Sequence, residues 1–265
     1  MSNKKTSGGF PFIVSALAIA ICLVIGIIVY QFVLGAPGNF DAEGHPKDGN
    51  FLGIMYKGGF IVPILLGTLF TVITFAIERF ITIQKANGRG QTDKFVAKIK
   101  ELVSAGDLDS AIAECDKQKG SLGNVVREGL MKYQFVKNDP TMDKESKVAA
   151  ISKALEEATA LELPMLSKNM SVISTCASIG TLVGLIGTVV GMIRAFGALA
   201  QAGTPDTAAL ATGISEALVN TLVGILSSAL AIIFYNLFSN RVDQLTYAMD
   251  EAGFSIIGEF QSSGK

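Results

Sequence analysis

Between Lys5 and Asp41 the chain runs for 35 residues without an Asp, Glu, Lys or Arg. Three more charge-free stretches follow, from Lys57 to Glu78, from Lys168 to Arg194 and from Glu216 to Arg241. At 1.5 Å per residue, a helix of about 20 residues crosses a hydrocarbon layer of about 30 Å. In that layer a backbone must satisfy its own hydrogen bonds, which long helices do. Four such stretches therefore predict an all-α, polytopic helical membrane protein. Only 17% of residues are charged, against about 25% in a soluble protein, and the mean hydropathy is +0.46.

Several function classes fall away at once. The 22 basic and 23 acidic residues nearly cancel, so bulk charge does not point to nucleic acid. One histidine, His45, and three cysteines, Cys22, Cys115 and Cys176, leave no basis for a disulfide framework or a zinc site. No metal or cofactor is expected. The H-E-x-x-H, P-loop and G-x-S-x-G patterns are absent, and no nucleophile–base set is visible, so an enzyme is not expected.

Charge also organises the chain. Residues 1–11 form an N-terminal segment ahead of a first anchor, 12–34. That apolar run exceeds the ~7–15 residues of a signal-peptide core, so it reads as an uncleaved anchor added in front of the rest. Residues 35–59, rich in Gly and Pro, read as an exposed outward loop, with 51–59 at the interface. The second span is 60–83, with Pro63 in its first turn, where a missing N–H costs little. Lys85 and Arg89 mark its inner end. Residues 84–168 form a charged helical insertion. Thr92 and Asp107 are expected to cap its first two helices, a third covers 121–136, and a fourth starts near Asp143. The fourth has no glycine and runs toward the third span; Pro164 kinks it without ending it. Long helices thus project from the bilayer into a cytoplasmic helical domain. The third span is 169–199, a short hairpin 200–207 follows, and the fourth span is 208–238. A C-terminal tail, 239–265, ends the chain. Both termini then lie inside, and of the basic residues only Lys47, Lys57 and Arg194 face outward.

Chemistry-bearing residues cluster in the last two spans. Gly180, Gly184, Gly187 and Gly191 form two G-x-x-x-G pairs, which let helix backbones approach closely. Ser174, Ser178, Thr181 and Thr188 lie near one stripe of the same helix. Two readings stay open for them: hydroxyls that bond back to their own helix or glue neighbours, and a polar pore lining. Glu216 stands inside the fourth span, where a carboxylate costs ~2.5–3.5 kcal/mol and is functional or paired. It lies near the level of Arg194, so an interfacial ion pair and a titratable group at the mouth of an ion path both remain open. Glu78 and Arg79 read as an interfacial pair, with snorkelling side chains and a structural role.

These residues carry a family resemblance. Leu185-Ile186-Gly187-Thr188-Val189-Val190-Gly191-Met192-Ile193 resembles the L-x-G-T-V-x-G-M-I stretch of the MotA/TolQ/ExbB proton-channel family. Gly213-Ile-Ser-Glu216-Ala-Leu-Val-Asn-Thr221-Leu-Val-Gly224 resembles that family's G-I-x-E-A-L-x-x-T-x-x-G. Phe234-Tyr235-Asn236-Leu237-Phe238 matches the end of its last helix, and Glu78-Arg79 the inner end of its first. The likeness covers about 60–245 and is strongest to the ExbB, or biopolymer-transport, branch.

The resemblance implies a homopentamer in the bacterial inner membrane around two helices of an ExbD-like single-span partner. That partner supplies an aspartate that carries protons, and the complex works with a TonB-like protein in transport across the outer membrane. Thr188 and Thr221 fall on the family's pore-facing threonines and Glu216 on its pore glutamate. The loops 35–59 and 200–207 would lie in the periplasm. TolQ-like envelope maintenance, a motility stator and, in a different class, a passive membrane scaffold are the competing functions. Two departures stand out. The anchor 12–34 is a span beyond the family's three, and Leu230 stands where the family's last helix often has a proline.

Overall fold

The computed structural model describes residues 12–200 and 206–262. The N-terminal segment 1–11 and most of the 200–207 hairpin fall outside the described residues. Helix α1 (Phe12–Ile28) continues as a π-helical stretch to Leu34, and α2 (Phe51–Tyr56) and a 3-10 turn (Gly59–Ile61) lead into α3 (Val62–Asn87). Four helices follow: α4 (Thr92–Ser104), α5 (Leu108–Gln118), α6 (Ser121–Lys137) and α7 (Lys144–Ser167). Two long helices, α8 (Met170–Leu199) and α9 (Thr207–Ser262), complete the chain. Among the described residues the only β feature is an isolated bridge between Phe40 and Pro46. The fold is all-α, and four helical runs are long and apolar enough to cross a membrane: Ile13–Leu34, Gly59–Ser104, Lys144–Leu199 and Thr207–Ser262.

Local chemistry explains where the elements start and stop. Asp107 caps α5, accepting the Ser110 N–H at 3.1 Å, and Asp143 caps α7, accepting the Ser146 N–H at 2.9 Å. Hydrogen bonds from the hydroxyl and then the N–H of those serines hold both carboxyls below the usual carboxylate range. Thr92 does not cap α4. Gln91 occupies that position without a side-chain bond, and the Thr92 hydroxyl donates to Asn87 Oδ1 instead. The 35–59 segment is not loop throughout. Asn50 caps α2 by accepting the Gly53 N–H at 3.2 Å, a six-residue helix that the Gly/Pro content hides. Pro164 sits inside α7, as expected, but the helix ends three residues later. Asn169 takes a left-handed φ of 61°, and α8 begins after it. Asparagine is among the few non-glycine residues that visit this region readily.

The chain divides into two units. The first holds α1, α2, α3 up to Glu78, α8, and α9 up to Asn236. Here packing, not expulsion of water, selects neighbours, because lipid is as apolar as leucine. Glycine contacts dominate accordingly. A Cβ on Gly26 of α1 would lie 2.7 Å from the Gly67 nitrogen of α3. Cys22 and Thr74 meet at 3.4 Å between the same helices. The added N-terminal helix is therefore seated against α3. Asn169 accepts from Ser15 at 3.1 Å and donates to Glu78 at 3.3 Å, tying the start of α8 to α1 and α3.

The second unit holds Arg79–Lys168 and the chain from Leu237. Its core is conventional hydrophobic burial: Ile99, Leu108, Ala111, Leu122, Leu130 and Ile151 are all buried. Residues 239–262 are not a free tail. They continue α9 and bury Leu245, Met249, Ala252, Ile256 and Phe260, and Phe260 meets Tyr133 edge-on at 4.8 Å. Burial pushes the Cys115 thiol up to about 12, which leaves it unreactive. Arg79 does not snorkel. It is fully buried and donates to the carbonyls of Met165 and Leu166 at 3.2 and 3.3 Å, satisfying acceptors that the end of α7 leaves open.

Candidate functional site

The α8–α9 pair is held at close range by glycine on both sides. A Cβ on Gly180 or Gly184 would lie 3.1 Å from the carbonyl oxygens of Gly224 and Asn220 respectively. One on Gly191 would lie 2.7 Å from the Ala217 nitrogen, and Gly187 faces the Asn220 side chain. Gly213 and Gly224 reciprocate from α9: a Cβ there would meet the Ala195 nitrogen at 2.7 Å and the Gly180 oxygen at 2.6 Å. All four predicted glycines therefore face a helix of their own chain. Opposite them on α8, Leu182, Leu185, Ile186, Val189 and Ile193 are exposed, an apolar surface suited to lipid.

That proximity brings polar residues of the two helices together. The hydroxyls of Thr188 and Thr221 hydrogen-bond to each other. Each also lies within reach of a carbonyl one turn back: Gly184 for Thr188 at 3.1 Å and Ala217 for Thr221 at 3.0 Å. A hydroxyl has one proton and two lone pairs, so one threonine donates across the pair while the other bonds back, and the roles can exchange. A second hydroxyl pair joins Thr181 to Ser228 at 2.8 Å, whereas Ser174 and Ser178 are exposed. The hydroxyls of α8 thus divide between cross-helix bonds and open surface.

Glu216 is only 4% exposed. Arg194 Nη1 donates to both of its carboxylate oxygens, at 2.7 and 2.8 Å. The two readings left open by sequence resolve geometrically into a formed ion pair with unequal partners, since the Arg194 side chain remains 52% exposed. The guanidinium also lies over the Phe60 ring, 5.7 Å from its centroid. Gly59, with a φ of +77°, passes so close to the Glu216 carboxylate that a side chain there would strike it.

Sequence reasoning did not single out Asn220. It is fully buried one turn beyond Glu216, and its Nδ2 donates to the Gly58 carbonyl at 2.9 Å. The available signal was its spacing, four residues after Glu216 on a glycine-lined helix. Among the described residues, no group of three or more His, Cys, Asp or Glu is placed to hold a metal ion.

Fold and site together define a polytopic helical membrane protein with a buried carboxylate and paired hydroxyls on two tightly packed spans. Residues 117–251 match the family described as the MotA/TolQ/ExbB proton channel family, and the chain belongs to it. It is 27% identical over 183 residues to the Tol-Pal system protein TolQ of Pseudomonas aeruginosa, covering 67% of this chain and 79% of that one. It is also 27% identical over 209 residues to the biopolymer transport protein ExbB of Pseudomonas putida, covering 77% of this chain and 61% of that longer protein. A putative ExbB-like protein of Synechocystis is 39% identical over 89 residues, 32% of this chain and 41% of that one. The family match includes Thr188, Glu216 and Thr221 and begins well after α1 and α3.

Proposed function

We propose that this chain is the proton-channel subunit of an ExbB-like inner-membrane motor. In this reading several copies, five by the family likeness, surround the helices of an ExbD-like single-span partner. The second unit and both termini face the cytoplasm. Thr188, Thr221 and Glu216 line the proton path, and a TonB-like protein receives the mechanical output. The supporting observation is the pairing of Thr188 with Thr221 on the same two helices that bury Glu216. Glu78, the one other carboxylate in the predicted spans, lies toward the inner end of α3 and is bonded to Asn169, so a relay takes its second carboxylate from the partner. The energy suffices: one proton crossing 100 mV releases about 2.3 kcal/mol, and a few drive a mechanical step.

A TolQ-like role in envelope maintenance is favoured by one fact, the 79% coverage of the P. aeruginosa TolQ against 61% of the P. putida ExbB. Reconstitution decides between channel and scaffold. The chain is co-purified with its single-span partner, its stoichiometry read by native mass spectrometry, and proton uptake measured in liposomes under an imposed potential. Potential-driven uptake that disappears when the partner's intramembrane aspartate is replaced by asparagine is the expected result. A stable complex with no such uptake would make the chain a passive scaffold.

A further inference from the structure

Asn220 Oδ1 is buried and accepts no hydrogen bond. The orientation of the amide is not arbitrary, because the group facing the Gly58 carbonyl at 2.9 Å must be the donor nitrogen. On the α8 side the amide is walled in: a Cβ on Gly187 would lie 2.7 Å from its Cγ and 2.8 Å from its Nδ2. The carboxamide is therefore held with a buried, unused acceptor oxygen, a costly arrangement unless a donor arrives.

The donor is close at hand. Glu216 and Asn220 are four residues apart on α9, so their side chains are neighbours on one face, with Cβ atoms about 5–6 Å apart. They also reach adjacent residues of the turn before α3, Glu216 at Gly59 and Asn220 at Gly58. Ionised, Glu216 is an acceptor only and is held by Arg194. Protonated, it loses most of its attraction for Arg194 and gains an O–H that needs an acceptor.

We propose that Asn220 is the positioning residue for the protonated state of Glu216, its Oδ1 accepting the carboxyl O–H while the Gly58 carbonyl holds the amide in place. Glu216 then alternates between two built sites, Arg194 when charged and Asn220 when neutral. The proton is neither created nor lost: it arrives with the path's flux and leaves when Arg194 recaptures the carboxylate. The other titratable groups on the packed elements are Tyr30, within electrostatic reach of Glu216, Tyr56, and Lys57 in the turn before Gly58. The Tyr30 hydroxyl already donates to the Tyr56 carbonyl at 3.1 Å. This inference rests on the reading of Glu216 as a proton-exchanging group.

The test is infrared difference spectroscopy across a pH titration, on the full chain with its co-expressed partner in lipid. The protonated-carboxyl band that Glu216→Gln abolishes reports Glu216. Replacing Asn220 by Leu removes the acceptor for the neutral form, so the band moves to the frequency of a free carboxyl. The midpoint falls by about one pH unit, a tenfold loss of proton affinity. In the unaltered protein, carbonyl-13C-labelled asparagine gives an amide band that shifts with the same midpoint, which keeps the test independent of whether Asn220→Leu assembles. A Glu216 band that titrates while the asparagine band and the midpoint stay fixed would overturn the role of Asn220 alone, leaving a loop anchor. If no titratable Glu216 band is present at any pH, the proton-path reading itself fails, and this inference with it.

Discussion

Thr188 and Thr221 each combine a donor and an acceptor without fixed charge, which suits them to hold a partner carboxyl or a water in passing. Valine keeps their shape and removes that capacity. Thr188→Val and Thr221→Val are expected to insert and assemble normally, yet to reduce potential-driven uptake at least tenfold in cells carrying the partner. Thr212, exposed near the start of α9 with its hydroxyl donating back to the Ala208 carbonyl of its own helix, is the control that tolerates valine. Full activity in both variants would mean that the hydroxyl pair serves packing alone. The ion pair gives an asymmetric prediction. Removing one partner of a buried pair costs most when the partner left behind is the buried one. Glu216→Gln leaves a half-exposed guanidinium that water can reach, whereas Arg194→Gln strands a carboxylate that is 4% exposed. Arg194→Gln is therefore expected to destabilise the protein by about 1–3 kcal/mol, and Glu216→Gln to remain stable while losing proton flux. Thermal unfolding in detergent compares them, and equal destabilisation would refute the asymmetry.

At the scale of elements, α8 and α9 approach backbone to backbone at Gly180, Gly184, Gly191, Gly213 and Gly224, so their contact has little room for adjustment there. Gly184→Leu places four carbons where the Asn220 carbonyl and Gly224 Cα already stand, 3.1 and 3.2 Å from the first of them. The helices must separate, which pulls Thr188 from Thr221 and lowers the yield of assembled complex on native gels. Gly197 is the informative contrast. It lies in the last turns of the same helix with nothing within 4 Å of an added Cβ. Gly197→Ala is expected to leave assembly intact and to stabilise the helix by up to about 1 kcal/mol through its better propensity. A loss of assembly in Gly197→Ala would reveal a neighbour on that face.

Across the whole molecule, α9 is the shared element: one uninterrupted helix contributes Glu216, Asn220 and Thr221 to one unit and Leu245, Met249, Ile256 and Phe260 to the other's core. Replacing Ile256, fully buried, by alanine leaves a cavity and is expected to destabilise the second unit by about 2–5 kcal/mol. Limited proteolysis should then cut within Arg79–Lys168 faster while the span-bearing unit stays protected. Uniform protection would show that the end of α9 contributes little to that core.

Much of this architecture is written in features that act locally along the chain. The absence of charge over span-length stretches, the caps at Asp107 and Asp143, and the glycines of α8 each depend on residues within a few turns of one another. Composition and periodicity report such features directly. The site is different in kind. Arg194 meets Glu216 across 22 residues and Asn220 meets Gly58 across 162, and Arg79 finds its acceptors 86 and 87 residues away. Whether two such groups meet depends on the azimuth and register of two helices about their axes, which the interlocking of backbones at Gly180, Gly184 and Gly224 sets. The sequence by itself therefore determined that this is an all-α protein with four helices long and apolar enough to cross a membrane, and with hydroxyls and a carboxylate, Glu216, within the last two. Tertiary packing decided which hydroxyl answers which, that Arg194 holds the carboxylate, and that Asn220 waits one turn away with an unused acceptor.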